Sequence, residues 1–454
     1  MNPHPAETER TSHAGAAPVA VFWDQSLVWG VICRTTLQAL GIPFHLLTGT
    51  EIAQGKLQHY RVLVVPGGWA SHKMRALGRT GQDEIRRFVD RGGSYLGFCG
   101  GAGLALTSAG SLGLVKLERL PLSSRLPSAS GQVLIRRCTD HPIWRDLPDT
   151  LPVSIWWPSQ FHWKPQPELS CLAGYKAIGK DFRVADLPIS DSEGSGICWE
   201  EWEEVYGINL NPKHLLGQPA IVEGCTGHGR LILSYPHLET PEDIQANQLL
   251  ANIVGYLDQA AASRCPVQAE FSPYCQQPTA PPSKPSLQYL EQAVNCVDDL
   301  IGFGERHLLW NWRLPWLLHW RRSIRGLEYG TLAVLVKVLY QETRLTAVEL
   351  PETHQDPWTA ATSELTEKVQ AFCAKAKRLL LEERLAAQKG HFSKVGRVND
   401  SVDQLRHWLF GREMSHGGLC RDIFDRLDHL LYQAFTQGDQ MLNRTSITSP
   451  SCTG

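Results

Sequence analysis

The chain has 454 residues, 43% of them hydrophobic, and a formal net charge of −2. That length fits two or three domains, and the charge balance gives no electrostatic basis for binding nucleic acid or an anionic membrane surface. The twelve cysteines contain no C-x-x-C and no regular spacing. They predict reduced thiols in a cytoplasmic protein, not a disulfide framework.

Residues 1–17 include acids and lack the apolar core of a signal peptide, so they predict a disordered tail. The longest apolar run, Gly330 to Tyr340, carries Lys337 and is too short to span a bilayer. Val19 to Trp23 is a continuous apolar run, as expected of a strand buried on both faces. Val28 to Leu40 carries a helical pattern that stops at Gly41. Pro43 to Leu47 and Arg61 to Pro66 predict two more strands, the second ending in Pro66-Gly67-Gly68. Thr80 to Asp83 resembles a capping box for a helix that ends at Gly92-Gly93.

Next comes Gly97-Phe98-Cys99-Gly100-Gly101, a strand-to-helix turn fitting the nucleophile-elbow pattern with cysteine as nucleophile. Such a turn strains its tip residue and brings backbone close, which explains the glycines. It also sets Cys99 beside a helix N-terminus, which favours a thiolate. The plain alternative is a glycine-rich turn with an inert cysteine.

Residues 110–216 carry weaker signals. Val133 to Arg137 and Val153 to Trp157 predict strands, and Trp156 to Trp163 is strongly aromatic. Core packing is the default role for that run; a ligand wall built by Trp156, Trp157 and Phe161 is the alternative. Asp186 to Leu215 predicts an acidic surface insertion. Pro219 to Glu223 and Gly229 to His237 predict two strands, and Thr240-Pro241-Glu242-Asp243 predicts a helix start running to about Gln259. Strands alternating with helices on short connections give an α/β fold with a parallel sheet, whose ligands bind beyond the carboxyl ends of the strands. Gly67, Gly68, Cys99, His237 and Glu239 all follow such ends.

Cys265 to Pro285 is rich in Pro, Gln and Ser and predicts a linker. Beyond it the period turns helical. Leu287, Leu290, Val294, Val297 and Ile301 make one stripe; Leu365, Val369, Phe372, Ala376 and Leu379 a second; Leu419, Ile423, Leu427, Leu430 and Ala434 a third.

A cysteine nucleophile needs a base, and the base needs a group that fixes its tautomer. His237 and Glu239 can supply these roles once the strand ends meet. Backbone N–H groups of Gly67, Gly68 and Gly100 can serve an oxyanion. At this point the sequence resembles the class I glutamine amidotransferase-like superfamily, and within it the amidotransferase-like N-terminal domain of biotin–protein ligases. The carrying runs are Val62 to Gly68, Phe88 to Gly93, Tyr95 to Ala102, Cys171 to Tyr175, Pro219 to Val222 and Gly227 to Glu239. The resemblance covers about residues 18–260 and implies a flavodoxin-like sheet with a Cys99–His237–Glu239 triad. Three departures stand out. Gly103 occupies the place where glutamine-dependent members carry a glutamine. The usual H-P-E is His237-Leu238-Glu239 here. No biotin-ligase catalytic domain or G-R-G-R-type adenylate loop is recognisable.

Glu305, His307 and His319 lie among Trp310, Trp312, Trp316 and Trp320, and packing of a tryptophan-rich helical region broken by Pro315 outweighs a metal site there. His416 and Cys420 share a helix face but make no zinc site by themselves. No metal or organic cofactor is expected.

The expected organisation is a disordered tail over 1–17, the amidotransferase-like domain over 18–262, a Pro-rich linker over 263–285, an all-α domain over 286–440 and a flexible tail over 441–454. The expected function is cysteine-dependent amide or acyl chemistry on a small-molecule substrate other than free glutamine. The alternative is a binding or regulatory module that keeps the fold without the chemistry, its helical domain recruiting a protein partner.

Overall fold

A computed structural model describes residues 19–108, 110–192, 196, 198–263, 282–347, 357–390, 394, 396–412 and 414–447. The expected tail over 1–17, most of the expected linker and residues 448–454 lie outside the described residues. No described helix is long and apolar enough to cross a membrane.

The α/β half is built on an eleven-stranded sheet. Its first five strands, in spatial order Phe44–Leu47, Val19–Phe22, Val62–Val65, Ser94–Phe98 and Gly229–Ser234, are all parallel. Side chains alternate between two cores, as strand geometry requires. Val19, Val21, Val62, Val64, Leu96 and Phe98 point to one side. Ala20, Phe22, Leu63, Val65, Tyr95 and Leu233 point to the other. The predicted helix over Val28 to Leu40 forms as Val28–Ala39 and is closed by Gly41 at φ 65°.

The weakly patterned middle of the chain extends this sheet with antiparallel strands. Pro219–Thr226, Leu169–Ile178 and Ala129–Arg137 follow in spatial order, and Thr150–Trp156 also pairs with the last of them. The central sheet is therefore mixed, with the elbow on its parallel side.

Two local readings need correction. The helix predicted from Thr80 is the second part of Ala70–Asp90, which is interrupted at Gly78, where φ is 57°. Thr240 to Asp243 forms a turn, and the helix spans Ile244–Ala262. Asp243 accepts a hydrogen bond from Ser154 Oγ at 2.6 Å, so its side chain does not cap that helix.

The C-terminal half contains the helices Lys284–Arg306, Gly326–Thr346, Pro357–Gln388, Asp400–Phe410 and Gly418–Ile447. All members of the second predicted stripe are buried, as are most of the other two. The tryptophan-rich region is not helical, however. Trp310–Leu314 and Leu317–Trp320 form an antiparallel hairpin, with Pro315 and Trp316 at its turn.

Candidate active site

The three strand ends that carry the predicted residues are neighbours in the sheet. Val65 pairs with Gly97, and Phe98 with Ser234, so the Gly67-Gly68 turn, Cys99 and the His237 turn meet at one edge. Cys99 has φ 47° and ψ −103°, the strained backbone of an elbow tip. Its N–H donates to the Ser234 carbonyl at 2.8 Å. The glycines around it are fixed by space. A Cβ on Gly100 would come within 1.7 Å of the Gly68 carbonyl oxygen, and one on Gly101 within 2.0 Å of the Val65 carbonyl oxygen. Gly68 has φ 107°, which suits glycine alone.

His237 and Glu239 are fully buried. Nδ1 of His237 is 2.7 Å from Glu239 Oε1. The backbone holds both ends of this turn: His237 N–H donates to the Ser154 carbonyl at 2.9 Å, and Thr36 Oγ1 donates to the Glu239 carbonyl at 2.8 Å. Burial alone would lower the His237 pKa. The Glu239 carboxylate and the neighbouring Cys99 sulfur overcome it and raise the pKa to about 10. Nε2 of His237 nonetheless has no hydrogen-bond partner of acceptable geometry. The Cys99 thiol donates instead to the Trp156 carbonyl at 3.9 Å.

Tryptophans from both halves surround this pair. Trp29 lies over the His237 ring with centroids 4.6 Å apart and planes inclined by 32°. A Cβ on Gly67 would meet His237 Cε1 at 2.8 Å and Trp29 Cγ at 3.0 Å, so the bare Gly67 backbone is the floor on which the imidazole rests. Trp316, from the hairpin turn, packs edge-on against both Trp29 and Trp156, at 5.9 and 5.3 Å. Trp157 stacks on Trp320 at 4.9 Å. Phe161 lies deeper, fully buried and stacked on Tyr235 at 4.3 Å.

Other groups beside Cys99 carry no obvious signature in the sequence. Arg125, Tyr175 and Tyr235 lie within Coulombic reach of its sulfur. The two tyrosines belong to runs that carry the family resemblance, but nothing in those runs marks their hydroxyls. Arg125 comes from a loop without periodic pattern.

The secondary constellations take separate partners. His307 contacts Arg384 at 2.6 Å and His319 contacts Arg183 at 3.4 Å. His416 packs on His72 and Phe424. Among the described residues no group of three or more His, Cys, Asp or Glu is arranged to hold a metal ion.

Residues 55–108, which contain the Gly67-Gly68 turn and Cys99, match the family described as biotin-protein ligase, N terminal. No curated protein matches the chain. A ThuA-like protein from Bacteroides uniformis is 13% identical, with a TM-score of 0.35, over 56% of this chain and 95% of that one. A GMP synthase component from Thermoplasma acidophilum is 13% identical, with a TM-score of 0.36, over 56% and 99% of the two chains. A glutamine amidotransferase from Thermotoga maritima is 13% identical, with a TM-score of 0.31, over 54% and 99%. The family match falls on the segment that builds the elbow.

Proposed function

We propose that the protein is a cysteine-dependent hydrolase or transferase acting on an amide or acyl substrate. Cys99 is the nucleophile, His237 the general base and acid, and Glu239 the group that fixes the imidazole. The observation that carries this reading is the state of His237. It is fully buried, tied through Nδ1 to Glu239 at 2.7 Å, and its Nε2 is unpartnered beside the Cys99 sulfur. A buried ring nitrogen without a partner is costly unless a substrate or nucleophile meets it.

In the reaction, Cys99 Sγ attacks the carbonyl carbon and its proton resides on His237. An S–C bond forms and the carbonyl oxygen becomes an oxyanion, which the backbone N–H groups of Gly68 and Gly100, with Gly67 adjoining, are suited to receive. His237 returns its proton to the leaving nitrogen or oxygen as the bond to carbon breaks. Water or an acceptor amine then attacks the thioester and restores the thiol.

Free glutamine is a poor substrate in this reading. Gly103 offers no side-chain amide, and glutamine selection needs groups that grip its α-amino and α-carboxylate ends. A second reading, a binding module whose helical half meets a partner, is favoured by one observation: Trp316 packs on Trp29, which lies over the His237 ring, and on Trp156.

The test is the rate of Cys99 alkylation by iodoacetamide near neutral pH, mapped by mass spectrometry, in wild type and His237→Ala. Cys99 should react faster than the exposed Cys138, Cys198 and Cys225, and the His237 substitution should remove the advantage. Equal rates at all four thiols would leave the binding-module reading standing. Ammonia release from saturating glutamine should not exceed that of Cys99→Ala.

A further inference from the structure

We infer that the cavity between the two halves of the chain, lined by Asp24, Asp425 and Asp428, is a binding site for a short aliphatic diamine. The inference goes beyond the reading of Cys99 as nucleophile and does not depend on it.

The cavity is the first observation. Its volume is about 190 Å³, room for about six water molecules at their share of liquid volume. Asp24 follows the strand Val19–Phe22 and Thr48 follows Phe44–Leu47, so one wall is the carboxyl edge of the parallel sheet, where such sheets bind ligands. The opposite wall is the last helix, through Asp425, Asp428 and Tyr432. Asp425 is exposed, which gives a ligand its way in.

The second observation points to the ligand. Asp428 is 5% exposed. Its Oδ2 accepts from the Gln25 N–H at 2.5 Å, but its Oδ1 is buried without a hydrogen-bond partner. Burial holds this carboxyl well above its usual range, and the Asp24 charge acts in the same direction. A proton on Oδ1 would in turn need an acceptor, so neither protonation state closes the site from within. A buried polar atom left in this way is costly, and a donor brought in from outside relieves it.

The third observation is the kind of partner the carboxylates have. Gln25 Nε2 donates to Asp425 Oδ1 at 2.7 Å, and the Gly49 N–H donates to Asp24 Oδ2 at 2.7 Å. These donors are neutral, and among the described residues none of the three carboxylates forms an ion pair. Lys73 acts on Asp24 and Asp428 through space, but its own hydrogen bond goes to Ser26 at 2.5 Å. Arg75 and Arg421 act on Asp425; Arg75 is exposed and Arg421 donates to the His416 carbonyl at 3.2 Å. The cavity is therefore acidic with no cation seated in it.

Geometry selects the cation. Among the described residues no three acidic, histidine or cysteine side chains are arranged to hold a metal ion, so these carboxylates do not converge on one point. Two ammonium groups joined by a short chain can reach separate carboxylates, each through charge-assisted hydrogen bonds. Ala76 and the Tyr432 ring, whose hydroxyl donates to Glu51 at 2.7 Å, line the same cavity and suit the methylenes between them.

The experiment titrates the full chain with 1,4-diaminobutane by calorimetry, beside n-butylamine, 1,4-butanediol and magnesium chloride at constant ionic strength. The diamine should bind once per chain, about tenfold or more tighter than butylamine. Butanediol should not bind, and magnesium should not displace the diamine. Asp428→Asn keeps an oxygen for the Gln25 N–H and removes the charge, so it should weaken diamine binding about tenfold or more. Asp24→Asn, on the facing wall, should do the same and decides the matter if the first variant does not fold. The diamine should also raise the melting temperature of wild type and leave that of both variants unchanged. No binding to wild type, equal affinity for diamine and butylamine, displacement by magnesium, or binding unaffected in the folded variants would each overturn the site.

Discussion

The polar core of the site rests on one buried pair, and its sign can be worked out. His237 is raised to about 10 by Glu239 and Cys99 against the effect of burial, whereas an unfolded histidine titrates near 6.5. A raised base contributes stability that is complete below the unfolded pKa and is lost as pH climbs through the folded one. Glu239→Gln removes the carboxylate and leaves the imidazole without its counter-charge. We expect it to cost about 3–5 kcal/mol near pH 6, and the difference from wild type to shrink as pH rises towards about 10. Urea unfolding at both ends of that window measures it; a difference independent of pH would contradict the assignment. The elbow glycines, Cys99, His237 and Glu239 were legible in the sequence because each sits at a fixed offset from a strand end. Arg125 was not, because its place beside Cys99 depends on Gln160 and Asn209, which lie far along the chain.

At the scale of elements, legibility followed the pattern's strength. Parallel strands announce themselves as continuous apolar runs, and the helices of the C-terminal half as apolar stripes. Within the antiparallel extension, Val133 to Arg137, Val153 to Trp157 and Pro219 to Glu223 were legible as strands, whereas Leu169–Ile178 was not, because its burial alternates irregularly and its partners lie far along the chain. The tryptophan hairpin misled for a geometric reason. Trp312, Trp316 and Trp320 are four residues apart, which is a helical spacing, but an even spacing also fits one face of a strand. Pro315 at the turn decides for the hairpin, since proline lacks the N–H that a helix interior needs. Its consequence is functional, because Trp316 packs on Trp29, which lies over His237, and on Trp156, whose carbonyl meets the Cys99 sulfur. Trp316→Ala should therefore raise the alkylation rate of Cys99 severalfold at a cost of about 1–3 kcal/mol in stability. Thiol labelling beside a urea melt reads both; an unchanged labelling rate would show that the hairpin does not restrict access.

One of the cores spans both halves of the molecule. A single cluster of buried residues runs from Val19 and Trp23 in the α/β half to Phe372, Leu427 and Phe435 in the helical half. Trp23 donates through Nε1 to the Asp428 carbonyl at 2.8 Å and meets Phe435 edge-on at 5.4 Å. Tyr432 donates to Glu51 at 2.7 Å, and the Arg34 guanidinium lies 4.0 Å over the Phe435 ring. Polar groups at this junction depend on both sides as well. Lys73 is fully buried, donates to Ser26 at 2.5 Å, and is lowered to about 7 by burial despite the opposing charges of Asp428 and Asp24. Asp428 belongs to the last helix, and its N–H partner Gln25 to the first loop. Separating the halves would expose Trp23, Phe435 and the apolar stripes around them to water, at about 25 cal/mol for each Å² of apolar surface. The composition of residues 263–285 predicts that a protease cuts there first. We expect the two resulting fragments to remain bound and to elute as one species of native size in size-exclusion chromatography, parting only when denaturant is added. Fragments that elute separately in native buffer would show that the junction is a loose contact between independent domains. In that case the packing of Trp316 on Trp29 and Trp156 would also be a transient arrangement, and alkylation of Cys99 would run at the same rate before and after the cut.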